Sequence, residues 1–184
     1  MNAVEIEQAI SEIAEKPFDR ESFPFEFLRA FGYKETPIRR LKAGDTNKSD
    51  VGGVLHAKYI HIAIASPNEV SATLTRLRES PATAKHKARF ILATDGVQFE
   101  AEGLTGGDPV VCEYEKFPDH FGFFLPLTGI TTVKQIRENS FDIRATSRLN
   151  RLYVQLLRDN PDWGTTARRP DMNHFMARLI FCFF

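Results

Sequence analysis

Tryptophan occurs once and cysteine twice in this chain of 184 residues. Cys112 and Cys182 stand far apart and pair with no histidine at zinc spacing, so neither a disulfide framework nor a zinc module is expected. No apolar run approaches membrane-spanning length, and no leader pattern opens the chain. A reduced, cytoplasmic setting without a membrane partner is therefore the default expectation. Neither sign of charge is in excess: 24 Lys and Arg face 24 Asp and Glu. A globally basic nucleic-acid binder is excluded, while a local basic ridge is not. The sequence also lacks a Gly-x-Ser-x-Gly elbow, a phosphate-cradling glycine loop, internal repeats and low-complexity tracts.

What is abundant is phenylalanine, with sixteen copies. Most lie beside helix signals or in 117–124, where they read as core. Length and apolar content suit a single domain over 1–184. The chain ends on Leu179-Ile180-Phe181-Cys182-Phe183-Phe184 with no polar cap. Such an end predicts an N-terminal fragment of a longer protein, with its last phenylalanines poorly covered.

Local patterns give the order of elements. Residues 3–15 form an amphipathic helix with Ile6, Ile10, Ile13 and Ala14 on one face, stopped by Pro17. A second helix spans 23–31 with Gly32 as its cap, and 37–41 adds a short turn. Residues 48–66 read as a hairpin: Gly52 and Gly53 mark a bend or close backbone approach, and Ile60, Ile62 and Ile64 alternate with Tyr59, His61, Ala63 and Ala65. Pro67-Asn68 opens a helix to about Ser80 with Val70, Leu74 and Leu77 inward.

Residues 81–89 read as a basic, solvated connection holding Lys85, His86, Lys87 and Arg89. Phe90–Ala93 suits a strand buried on both faces, and Thr94-Asp95-Gly96 turns it into an antiparallel meander. In that meander Val97, Phe99 and Ala101 share one side, and 109–114 forms a third strand. Residues 117–129 have no clear period. Helices are expected from Thr131 to Glu138, from Arg144 to Arg158, and from an Asp171 cap onward with Phe175, Met176, Leu179, Ile180 and Phe183 inward; 163–169 is a loop. The sum is an α/β domain with a central mixed sheet flanked by helices.

Asp50 is the only carboxylate of the hairpin. Beside a turn its ordinary role is a local hydrogen bond; its functional role would be one ligand of a divalent metal. Glu69 and Glu79 on the following helix, with Lys58, form the alternative set around Asp50. Arg144, Arg148 and Arg151 share one helix face, Arg158 continues it, and Arg168-Arg169 follows. These arginines are the DNA-binding candidates, since such a face meets phosphates. Five scattered histidines offer no metal or catalytic spacing.

Asp50 followed by a hairpin, a helix and the buried 90–96 segment resembles the PD-(D/E)XK nuclease core. More widely, the stretches 47–66, 89–102, 119–129 and 171–184 resemble the N-terminal domain of MmeI-type restriction–modification enzymes and related class I methyltransferases. The resemblance implies a restriction-endonuclease-like core with extra N- and C-terminal helices. It also implies a parent chain that methylates adenine in double-stranded DNA with S-adenosylmethionine, in domains outside these residues. The family's nuclease motif has an Asp, then Glu-x-Lys on the next strand. Aligned so, Asp50 keeps its place while Ile60 and Ile62 stand for the Glu and Lys. Cleavage needs a hard cation held by carboxylate oxygens and a lysine for the attacking water. The expected reading is a vestigial, non-catalytic domain that docks on the remaining domains of its chain and touches DNA. An active Mg²⁺-dependent endonuclease using Asp50, Glu69, Glu79 and Lys58 is the enzyme alternative, and a stand-alone interaction domain the third.

Overall fold

The computed structural model describes residues 2–106, 108–129, 145 and 148–183. The chain divides into two compact units, Met1–Ser140 and Phe141–Phe184.

Three helices open the first unit. Helix α1 (Ala3–Glu15) starts with a capping box: Asn2 Oδ1 accepts the Glu5 N–H, and Glu5 reaches back to the Asn2 N–H. Helix α2 (Phe23–Ala30) ends where the Gly32 and Tyr33 N–H groups turn back onto the carbonyls of Arg29 and Leu28. Helix α3 (Glu35–Lys42) follows, longer than the 37–41 turn read from the sequence. Strands β1 (Val54–His56) and β2 (Ile60–Ile64) form the expected antiparallel hairpin. Helix α4 (Val70–Glu79) buries Val70, Leu74 and Leu77 as predicted.

One expectation fails next. Within the 81–89 connection lies a short helix, α5 (Pro81–Lys85). Ser80 caps it, its Oγ accepting the Thr83 N–H at 3.2 Å, and Pro81 supplies the pre-set φ of a first helical residue. Strand β3 (Phe90–Thr94) then runs parallel to β2, Ile60 opposite Phe90 and Ile62 opposite Leu92. Strands β4 (Gln98–Gly103) and β5 (Val110–Glu113) complete the antiparallel meander and a five-stranded mixed sheet in chain order. Val97 sits in the turn before β4 and is 71% exposed, so it does not share the burial of Phe99 and Ala101.

Strand alternation divides the core into two layers. Ile60 and Ile62 share a face with Phe90, Leu92 and Phe99. That face carries the phenylalanine core, where Phe99 stacks on Phe117 at 4.9 Å and Phe124 packs edge-on with Phe27 and Phe99. Residues 114–128 supply much of it through successive 3₁₀ turns (Tyr114–Thr128). Pro118 and Pro126 remove backbone donors there, which explains why no α-helical period was legible. On the opposite face, Ala63, Ala65, Ile91 and Ala93 pack with Val70, Leu74 and Leu77 of α4. Burying each large side chain contributes about 1.5–3 kcal/mol.

In the second unit, residues 148–159 form helix α6, ended by Asn160-Pro161 as expected. A 3₁₀ turn (Pro161–Gly164) replaces part of the predicted loop, and helix α7 runs Arg169–Phe183. Asp171 lies inside its first turn rather than capping it. Met172 and Met176 are buried, whereas Phe175 and Ile180, expected inward, are 47% and 38% exposed. Phe181 is 83% exposed. The predicted 131–138 helix lies outside the described residues.

Candidate functional site

The loop from Asn47 to Gly53 places Asp50 over the junction of α4 and α5. Asn47 organises that loop: its Nδ2 donates to the Gly53 carbonyl at 2.9 Å, and its Oδ1 accepts the Leu55 and Ser49 N–H groups. Gly53 passes so close to β2 that a Cβ there would lie 2.2 Å from the Ile62 carbonyl oxygen. This is the close approach read from the glycine pair.

Asp50 itself is exposed, and both carboxylate oxygens accept hydrogen bonds. Ser80 Oγ donates to Oδ1 at 2.5 Å, and the Ala82 N–H donates to Oδ2 at 3.2 Å. The Ser80 hydroxyl and then the Ala82 amide favour the ionised form, holding the Asp50 carboxyl below its usual range. Asp50 thus ties the 47–53 loop to the start of α5.

Beneath it lies His61, fully buried on β2. Its Nδ1 is 2.7 Å from Thr83 Oγ1 and its Nε2 is 2.7 Å from Ser49 Oγ. The neighbours assign the tautomer. Thr83 spends its O–H on the Leu77 carbonyl at 2.7 Å, so its oxygen accepts from His61 Nδ1–H. Ser49 Oγ accepts the Gly53 N–H at 3.0 Å and donates its own proton to the bare Nε2. The ring is neutral and satisfied at both nitrogens. Burial pushes its pKa down to about 4, against the opposing pull of the Asp50 charge.

The candidate motif residues separate in space. His61 lies on the sheet face toward Asp50, so strand alternation puts Ile60 and Ile62 on the phenylalanine face, both fully buried. The alignment that sets them in the Glu and Lys positions therefore points those positions away from Asp50. Glu69 precedes α4 while Asp50 contacts the residues after it, so the ten-residue helix, about 15 Å long, stands between them. Glu79 adjoins Ser80 but is exposed, with no hydrogen bond to Asp50. Lys58 sits in the β1–β2 turn, its N–H donating to the His86 carbonyl. Among the described residues no three His, Cys, Asp or Glu side chains converge as a metal site. Asp50, Glu69 and Glu79 are thus not brought together around one point.

The arginine candidates also divide. Arg144 lies outside the described residues. Arg148 is exposed and Arg151 half-buried on α6, which also carries Arg158. Arg168 pairs with Asp162 at 2.9 Å, and Arg169 donates to the Gly164 carbonyl at 3.2 Å. Sequence reasoning missed the partners of His61. The Ser80-Pro81 pair was a legible helix start, and a histidine alternating with isoleucines was the signal that buried acceptors and donors had to be found for it.

Fold and site define a class: a mixed-sheet α/β domain in which Asp50 ties a loop to the start of a helix. Residues 1–159 match the family model of the MmeI N-terminal domain, and the chain belongs to that family. It is similar to DNA methyltransferase A of Bacillus subtilis (strain 168), 30% identical over 185 positions that cover 100% of this chain and 21% of the relative. The chain thus spans about a fifth of that relative's length. No solved structure matches it. Among the described residues no helix is long and apolar enough to cross a membrane.

Proposed function

We propose that this chain is a nuclease-like, non-catalytic N-terminal domain of a restriction–modification-type adenine-N6 DNA methyltransferase. Methyl transfer from S-adenosylmethionine belongs to other domains of the parent protein, on which this domain docks in the cytoplasm, close to double-stranded DNA. Family membership and the methyltransferase relative support the parentage. One observation carries the non-catalytic reading: Asp50 is committed to Ser80 and Ala82, while Ile60 and Ile62 point into the opposite layer. The order of hairpin, helix and parallel strand supports descent from a nuclease core.

The test is incubation of supercoiled plasmid with the purified chain and Mg²⁺ or Mn²⁺. No nicking above a metal-free control is expected. Metal-dependent nicking that vanishes in Asp50→Ala and in Glu79→Ala or Glu69→Ala would overturn the reading in favour of the endonuclease. For the parent protein, tritiated methyl transfer from S-adenosylmethionine to adenine is the matching assay.

A further inference from the structure

Several cations of this chain are already paired. Arg29 and Arg39 meet Glu35, Arg78 meets Glu102, Lys116 meets Glu113 and Arg168 meets Asp162. One end of the sheet gathers a further group of cations. The β1–β2 turn and the α5–β3 connection run side by side there: the Lys58 N–H donates to the His86 carbonyl at 2.8 Å, and the Arg89 N–H to the Tyr59 carbonyl at 2.9 Å. This places Lys58 beside Lys85, the last residue of α5, and His86, Lys87 and Arg89 of the following connection. Lys58, Lys85 and Lys87 are exposed and have no ion pair among the described residues. The Arg89 side chain donates to the Pro126 carbonyl at 3.3 Å.

The backbone adds a second observation. Among the described residues three that are not glycine have positive φ, and two are these neighbours, Lys58 at 69° and Lys87 at 52°. The left-handed region is uncommon for a long unbranched side chain and carries a cost. Glycine or asparagine would fill both positions at lower cost, yet both hold lysine on hydrogen-bonded turns. Beside them the rings of Tyr33, His56 and Tyr59 contact one another at 4.8–5.3 Å. Net charge is zero, so this basic concentration is balanced elsewhere, notably by Glu5, Glu7, Glu12 and Glu15 on α1.

We infer that this basic double loop, and not the arginine face of α6, is where the domain meets the phosphate backbone of duplex DNA. Three or four cations on adjoining turns suit successive phosphates. Contacts of this kind position a protein without reading bases. The inference rests on the proposed function for its choice of polyanion.

The test is fluorescence anisotropy of the full 184-residue chain with a labelled, unmodified duplex of about 20 base pairs, at about 50 to 200 mM salt, the range over which phosphate contacts show. The comparison variant is Lys58→Asn/Lys85→Ala/Lys87→Asn, in which asparagine tolerates the left-handed backbone. Circular dichroism should show an unchanged fold and a melting temperature no lower than wild type, since all three side chains are exposed and asparagine suits the left-handed backbone. The wild-type log–log salt slope should be about −3, and the variant should lose about 2–3 of it, with binding at low salt at least about tenfold weaker. Arg148→Ala/Arg158→Ala, on the exposed face of α6, should keep the wild-type slope. Absence of binding at low salt, an unchanged slope in the triple variant, or loss confined to the arginine variant would each overturn the inference. Plasmid nicking would sink the non-catalytic reading alone, so the two failures are distinguishable.

Discussion

His61 Nδ1 and Thr83 Oγ1 lie 2.7 Å apart in the fully buried layer between β2 and the α4–α5 junction. Thr83 passes the chain of hydrogen bonds on to the Leu77 carbonyl, and Ser49, accepting the Gly53 N–H, donates into it at His61 Nε2. A strand, a loop and two helix ends are thereby fixed by one neutral imidazole. Satisfied networks of this kind specify a unique arrangement, and half-satisfied ones are costly.

That neutrality predicts a pH dependence. Folded His61 takes a proton only near pH 4, while in the unfolded chain it does so near 6.5. Between those values the unfolded state binds the extra proton, so stability falls as pH drops. The contribution is fully present above about 6.5 and lost at about 1.4 kcal/mol per pH unit, to a total of about 3 kcal/mol near pH 4. Asp50 and Asp95, whose pKa values are lowered, give up their contributions at still lower pH. Urea melts of wild type and His61→Gln between about pH 7 and pH 4.5, the window set by the two pKa values, check this. The variant should show the shallower slope, and parallel slopes would discard the assignment.

Thr83→Val should be harmful despite its matching shape. It strips the acceptor from His61 Nδ1–H and the donor from the Leu77 carbonyl, both buried. Leaving such groups unmet costs about 1–3 kcal/mol. A double-mutant cycle with His61→Gln should show strong coupling; additive effects would mean that the two side chains do not act together.

Gly53→Ala tests the close approach of the loop to β2. The new methyl would meet backbone, 2.2 Å from the Ile62 oxygen and 3.2 Å from Ala63 Cα, so no side chain can swing aside to admit it. Overpacking of this kind costs about 1–3 kcal/mol. Gly52→Ala is the contrast: its φ of 76° is strained for alanine but the space is open. Differential scanning calorimetry should rank Gly53→Ala the less stable of the two.

The elements most legible in the sequence were those with one strong period. Ile6, Ile10 and Ile13 marked α1, and the isoleucine alternation marked β2; the Asp95-Gly96 turn placed β3 beside β4. Where proline interrupted an aromatic run at Pro118 and Pro126, no period survived and the 3₁₀ turns were unreadable. On α7 hydrophobicity alone points Phe175 and Ile180 inward, yet both are exposed, as apolar side chains commonly are. The site was half legible. Asp50 was found, but which face of β2 it shares depends on the 47–53 loop path, which spacing does not encode.

That facing supports a last prediction, about rebuilding the motif. Ile60→Glu with Ile62→Lys installs the Glu and Lys of a nuclease motif but aims both charges into the layer of Phe90, Leu92 and Phe99. Both isoleucines are fully buried, so the change removes about 1.5–3 kcal/mol of apolar burial at each position and adds two charges without solvent. The pair would sit far from Asp50's donors on the opposite side of the sheet, and an ion pair made there would not recover its desolvation. The expected outcome is an unfolded or aggregated protein with no gain of plasmid nicking. Far-ultraviolet circular dichroism and a Mg²⁺ nicking assay on the same preparation decide it. A folded double variant that nicks DNA, and loses that activity when Asp50→Ala is added, would show that Asp50 and the two introduced side chains can share one face after all. It would reverse the assignment of sheet faces.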